Sequence, residues 1–490
     1  MNCIKLELAP PASALVQSLR SIGYDLQSAV ADIIDNSIAA EASNISVDFF
    51  RSNSEETVLI ISDDGRGMDS KELQIAMTLG SNNPLNKRQE DDLGRFGMGL
   101  KTASFSQCQK LTVITSKDGS IRGAKWDLGH ITRTNKWELF WLSDDEIQTI
   151  QSKYDLSHVG THVIWEECDN IHDLDLTSEL VGQLIAEESK KLYTHISLVF
   201  HKFLERPFDS INITLNEIKV TPKDPFVVHK KHESISSTKA YTATHTLQNE
   251  YLSVNGYILT HPSKLTDTQL YNICPEGDYF NSQGFYIYRA NRLIFWGDWF
   301  RMTKRTQQNK LVRVEVNIPN TLDTIWRLDI KKAKVELPKE LRSYLKKSIE
   351  GLTNKSVKVF NGRPTYKNQK SSSIWTRKVD TNSRNIQYVL DKSHPFIKSF
   401  FDELDDDKLQ QLRSLLKLIE VMLPTQMMSN DIASTYKIQP TLSSEEKGEI
   451  ERIIKTLRGF GMSTEQIKDH ISNNDASSQA INDYLLKYLG

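Results

Sequence analysis

The sequence predicts an α+β protein of several domains, and three observations predict it. Residues 12–170 mix amphipathic helices with short strands that turn back on one another, the pattern of an α/β sandwich. From about residue 176 a long helical segment leads into five strand-like segments and a second helix, a second α+β unit. Beyond a polar linker the apolar periodicity becomes helical. The predicted domains are 1–175, 176–355, a linker at 356–380 and a helical C-terminal region at 381–490.

Each element follows from local pattern. Pro10 and Pro11 precede an apolar helix, Ala14 to Leu19, which Gly23 interrupts. The next helix places Val30, Ile33, Ile34 and Ile38 on one face and Asp32 and Asn36, four residues apart, on the other. Ile45 to Phe49 alternates as a strand, and Val58 to Ile61 reads as a buried strand ending at Asp63. Residues 69–79 are helical and residues 80–93 form a polar, charged loop. Lys110 to Asp127 is a hairpin turning at Asp118-Gly119, and His162 to Trp165 a further strand. In the second domain a helix spans 177–204. Strands lie at 211–219, 252–259, 284–289, 292–296 and 311–317, and a basic loop at 326–336 precedes a helix at 338–350. Residues 361–373 have linker composition. Past them Leu409, Leu412, Leu416, Ile419 and Leu423 form a core-facing stripe. Ser443 with Glu446, and Ser463 with Gln466, open two more helices as capping boxes.

Composition excludes several functions. The chain has 61 Lys and Arg against 63 Asp and Glu, so any basic partner-binding surface must be local. Its four cysteines, Cys3, Cys108, Cys168 and Cys274, have no metal-ligand spacing and suit a reducing cytosol. No signal-peptide pattern opens the sequence, and no apolar run reaches about 18 residues, so a cytoplasmic protein without a membrane span is expected. No internal repeat is evident.

Four short segments carry chemistry. Asn36 offers a neutral carbonyl oxygen, suited to Mg²⁺, which takes few protein ligands and the rest from phosphates and water. Asp32, one turn earlier, can accept a proton from an attacking water. Taken alone, the pair also fits a polar stripe on an amphipathic helix. Asp63, at the end of a buried strand, can accept from a purine amino group. Gly65 and Gly67, ahead of Met68, let backbone approach a flat base, although Asp-Asp-Gly is also common turn chemistry. Gly94, Arg95, Phe96, Gly97, Met98 and Gly99 precede a helix beginning at Leu100, a cradle for anions to which Lys101 adds charge. No Gly-Lys-Ser/Thr marks a Walker loop, and no strand leads into these glycines as a dinucleotide fingerprint requires. Gly160-Thr161 before a strand completes the set.

In order and spacing these segments resemble the GHKL ATPases: gyrase, heat-shock chaperones, histidine kinases and MutL. The resemblance covers about residues 12–170 and implies ATP and Mg²⁺ in a Bergerat α/β sandwich. It makes Asp32 the catalytic acid–base and Asn36 the Mg²⁺ ligand. Asp63, Gly65, Gly67 and Met68 fall at adenine, Gly94 to Lys101 in the lid, and Thr161 on the closing strand. The family's acid is usually Glu. Asp32 is one methylene shorter, which implies slow turnover. Asp35 lies on another helix face and is the weaker candidate for base.

Gly97 to Ser104 and Tyr288-Arg289-Ala290-Asn291-Arg292-Leu293-Ile294 look most like the microrchidia (MORC) group. That likeness implies that the second domain is a ribosomal-protein-like transducer, whose lysine reaches back to the γ-phosphate. Lys334 in Lys331-Lys332-Ala333-Lys334 best matches it, with Lys331 and Lys332 adjacent. It further implies an ATP-dependent homodimer that clamps DNA, in bacterial relatives linked to restriction or phage defence. A chaperone-like protein clamp is the alternative. A sensor kinase is disfavoured because no phospho-accepting histidine helix is evident. Residues 289–347 hold 15 basic side chains against 6 acidic ones and are the expected DNA-facing surface, unless these charges pair with Asp402 to Asp407 or simply solvate the domain. Trp296, Trp299 and Phe300, between them, are expected in the core. Residues 381–490 are left for a protein partner.

Overall fold

The structure is a computed structural model. It describes residues 10–21, 23–52, 56–80, 99–168, 178–206, 209–226, 238–247, 250–260, 265, 270, 273–274, 279–322, 326, 337–360, 375–380, 385–392, 397–398, 401, 404–423, 444–459 and 463–464. It divides into two compact units, Met1–Gly362 and Arg363–Gly490.

The first unit is built on an eight-stranded sheet. Its strands are β1 (Asn44–Arg51), β2 (Thr57–Asp63), β3 (Cys108–Lys117), β4 (Ser120–Asp127), β5 (Phe140–Trp141), β6 (Gly160–Cys168), β7 (Asn212–Leu215) and β8 (Ile218–Lys219), in the order β5-β4-β3-β6-β2-β1-β7-β8. Adjacent strands run antiparallel except β1 and β7, which are parallel. The β3–β4 turn sits at Asp118-Gly119 as expected, with both φ angles positive (53° and 75°), the twist that a two-residue hairpin needs.

Alternate residues of one strand enter different cores. Leu59 and Ile61 join the larger core under the helices α1 (Ala12–Arg20), α2 (Leu26–Ala39), α3 (Ser70–Met77), α4 (Gly99–Phe105) and α5 (Leu128–Thr134). Val58 and Ile60 point the other way, against Ile147 of α6 (Asp144–Tyr154). Covering on both faces explains why this strand reads as a continuous apolar run. Asp25 caps α2 by accepting from the Ser28 amide at 2.6 Å, and a reciprocal Asp69/Glu72 capping box starts α3.

Two further helices, α7 (Ser178–Val199) and α8 (His201–Leu204), form a wall between two cores. Leu192, Ile196, Val199 and Phe200 pack into the first core, while Leu198 joins Phe226, Tyr257, Tyr286 and Tyr288 on the other side. Those tyrosines belong to a five-stranded sheet of β9 (Thr238–Leu247), β10 (Glu250–Ile258), β11 (Gly284–Arg289), β12 (Arg292–Asp298) and β13 (Val312–Ile318), ordered β12-β11-β13-β10-β9. Its opposite face packs on Leu341, Leu345, Ile349 and Leu352 of α9 (Lys339–Phe360), a stripe of helical period.

Three placements differ from expectation. The 212–219 hairpin, expected in the second domain, pairs with β1 on the first sheet; its parallel partner is 168 residues away and no local pattern announces it. In the second unit, β14 (Trp375–Asp380) and β15 (Asn385–Leu390) form a hairpin where the end of a linker and the start of a helical region were expected. Thr376, Val379, Ile386, Tyr388 and Val389 favour extended backbone. The helices α10 (Asp406–Val421) and α11 (Ser444–Gly459) follow. On α10 the expected core stripe is only half-buried at Leu409, Leu412 and Leu416, and Ile419 is 44% exposed. Ser443 and the helix opened by Ser463 lie outside the described residues, apart from Ser463 and its successor. Among the described residues no helix is long and apolar enough to cross a membrane.

Candidate functional site

The helix α2 sorts its polar side chains by burial. Asp32 and Asp35 are buried, while Asn36, one turn after Asp32, is exposed at the surface. The Asp32 carboxylate accepts from the Tyr24 hydroxyl at 3.0 Å through Oδ2 and from Arg292 Nη2 at 3.4 Å through Oδ1. Burial beside that carboxylate drives the Tyr24 pKa upward, so the phenol stays protonated as donor. Among the described residues, a Cβ placed on Gly99 would lie 4.0 Å from Asp32 Oδ2, so the start of α4 approaches the carboxylate. The exposed Asn36 amide and this carboxylate fit a nucleotide–Mg²⁺ complex: a neutral oxygen for the metal and a carboxylate for water.

A second cluster lies at the end of β2. Asp63 Oδ2 accepts from the Ser37 hydroxyl at 2.7 Å, and Oδ1 from the Gly65 and Thr161 amides at 3.0 and 3.2 Å. Burial raises the Asp63 pKa and outweighs those three hydrogen bonds, which lower it. Thr161 Oγ1 lies 3.0 Å from Thr115 Oγ1, which accepts from the Met68 amide at 2.9 Å. One hydrogen-bonded chain thus joins the Asp63 turn, Met68 and the Gly160-Thr161 strand. Two glycines in it are obligatory. Gly67 has φ +65° and a Cβ there would lie 1.9 Å from the Ser116 carbonyl oxygen. Gly160 has φ +73° and its Cβ would lie 1.7 Å from that of Asp63.

Of the lid residues, Gly99, Leu100 and Lys101 are described; Gly94, Arg95, Phe96, Gly97 and Met98 lie outside the described residues, as do Lys331, Lys332 and Lys334. Lys101 is turned inward: Nζ donates to the Ala76 carbonyl at 2.7 Å, and burial pulls its pKa down to about 8. Asp35, expected on another face, is buried, with Oδ2 at 2.8 Å from Arg292 Nε. Arg292, on β12, lies in the segment that resembles the MORC group and was counted with the basic surface, but nothing in that pattern marks it as a partner of α2. Its partner lies 260 residues away, and only the fold brings them together.

Residues 24–161 match the family described as histidine kinase-, DNA gyrase B-, and HSP90-like ATPase. This segment is similar to GHKL-type ATPase domains. It begins at Tyr24, the donor to Asp32, and ends at Thr161, the donor to Asp63. The domain is also similar to the ATPase morc-1 of Caenorhabditis elegans, at 36% identity over 94 residues, 19% of this chain. That match spans only 10% of the relative's length.

Proposed function

We propose that the chain is a Mg²⁺-dependent ATPase whose ATP-bound form dimerises and closes as a clamp on DNA. The observation that carries the ATPase reading is the arrangement on α2: a buried Asp32, approached by the start of α4, and, one turn on, an exposed Asn36. In this reading Asn36 holds Mg²⁺ and Asp32 takes a proton from water. Asp63 accepts from the adenine amino group, and Lys334 reaches the terminal phosphate from the second domain. The test is a pair of variants. Asp32→Asn retains ATP binding and hydrolyses roughly 10²-fold or more slowly. Asn36→Ala loses productive MgATP binding. Parental turnover by Asp32→Asn overturns the assignment of the base.

A DNA-facing surface is supported by the loop after β12 and the start of α9, where Arg301, Lys304, Arg305, Arg342 and Lys346 are exposed. The Arg342 guanidinium donates to the Phe300 carbonyl, so loop and helix form one basic patch. The patch is smaller than the count of 15 implied, because Arg289, Arg292 and Arg313 are buried and unavailable to phosphates. Trp299 is buried, and Phe300 packs against the core around α9, as expected of them. A clamp on protein is the reading that gains if DNA does not bind.

A further inference from the structure

The second sheet brings a cation into the ATPase domain from the start of a strand. Arg292 opens β12, directly after the Ala290-Asn291 turn, whose φ angles are 46° and 68°. Its side chain is 6% exposed, and its guanidinium lies 5.9 Å from the centre of the Phe200 ring. Nε lies 2.8 Å from Asp35 Oδ2, off the hydrogen-bonding angle, so that contact is an ion pair. Nη2 reaches Asp32 Oδ1 at 3.4 Å.

Two ionisable groups beside the cluster are neutral. His195 of α7 packs its ring edge-on to Trp296, 5.7 Å between centroids, and burial together with Arg292 holds its pKa down to about 4, so it is neutral at pH 7. Tyr24 is protonated. Among the described residues the cluster is thus two carboxylates and one guanidinium, a buried net charge of −1. Burying such a set is costly and is tolerated only where geometry holds each member.

We propose that Arg292 is a positioning residue for ATP hydrolysis: it fixes the Asp32 carboxylate from the second sheet, so that the base is correctly set only when that sheet is docked on the ATPase domain. The proposal rests on the reading of Asp32 as the base. Tyr24 and Arg292 approach different oxygens of that carboxylate, and two such contacts restrict its rotation. A one-methylene side chain has no slack of its own to recover a lost orientation. Asp35, one residue short of a helical turn along α2, takes the other edge of the guanidinium and anchors it. In this proposal the coupling runs through the first residue of β12.

The experiment is a set of full-length variants, read as kcat, KM for ATP and ATP affinity. Arg292→Met lowers kcat roughly tenfold to 10²-fold, with KM and affinity near the parental values. Arg292→Lys, keeping the charge but unable to span both carboxylates, falls between. Removing the guanidinium alone changes the charge of the cluster, so the deciding variant is Arg292→Met with Asp35→Asn, which removes one charge of each sign. It remains slow if Arg292 orients Asp32. Parental kcat in that double variant shows that Arg292 only balances Asp35 and overturns the proposal. In the Asp32→Asn background, Arg292→Met produces no further loss; an additive loss also overturns it. If Asp32→Asn itself turns over normally, it is the assignment of the base that fails, and the two failures are thereby distinguished.

Discussion

At Asp63, burial raises the carboxyl pKa while the Ser37 hydroxyl and the Gly65 and Thr161 amides pull it down, and burial wins. A raised pKa in the fold means that the site stabilises the protein fully below the unfolded value of about 3.9 and loses that contribution as pH climbs through the folded value. Above the folded value the ionised Asp63 is therefore held against the stability of the protein. Asp63→Asn keeps an acceptor for the two amides and can turn its NH₂ to the Ser37 oxygen. Its urea midpoint at pH 7 should equal or exceed that of the parent. ATP affinity, measured by calorimetry, should fall roughly tenfold to 10²-fold, the value of a hydrogen bond to a charged acceptor. A lower midpoint would contradict the assignment of burial as the dominant influence.

At the scale of elements, α4 is instructive because it carries a cation on its buried face. Lys101 to Phe105 are all buried, and the Lys101 ammonium donates to the carbonyl of Ala76 on α3. Its pKa falls from the ordinary lysine value, about 10.4, to about 8. The unfolded chain then binds more protons than the fold between those two values, so unfolding free energy should rise with pH across that window. Urea titrations from pH 7 to 11 should show this rise in the parent and lack it in Lys101→Met. A flat difference between the two would mean that the lysine is solvated. The sequence announced Lys101 as a phosphate ligand because lysine after a glycine-rich run is a familiar anion site, whereas its rotamer depends on where α3 packs. The β3–β4 hairpin was legible for the opposite reason: Asp118-Gly119 carries its turn geometry locally. The Asp32/Asn36 spacing and the buried run of β2 were legible too, since each repeats the period of its own element. The pairings of β1 with β7 and of Arg292 with Asp32 were not, because both are set by tertiary docking across more than a hundred residues.

At the scale of the molecule, the proposed clamp turns on a few exposed cations. Arg305 and Arg342 spend donors on the Gly297 and Phe300 carbonyls, so Arg301, Lys304 and Lys346 are the cleaner probes. Reversing those three to Glu should weaken binding to mixed-sequence DNA. It should also make the salt dependence shallower, by about 0.9 in log–log slope for each phosphate left without its cation. With a non-hydrolysable ATP analogue, the parent should stay longer on circular than on linear DNA, from whose ends a closed ring slides off. Equal residence on both, or unchanged affinity in the reversed variant at low salt, would favour a protein as the clamped partner.

The place of β7 beside β1 also decides what can be detached. A chain cut after the ATPase signature, near residue 175, would leave β1 as an outer strand with an open row of amides and carbonyls, and would strip α7 from the core that Ile196, Val199 and Phe200 complete. The segment that the family matches is thus closed by chain that lies, in sequence, beyond its end, and it cannot be cut free at that boundary without opening its sheet.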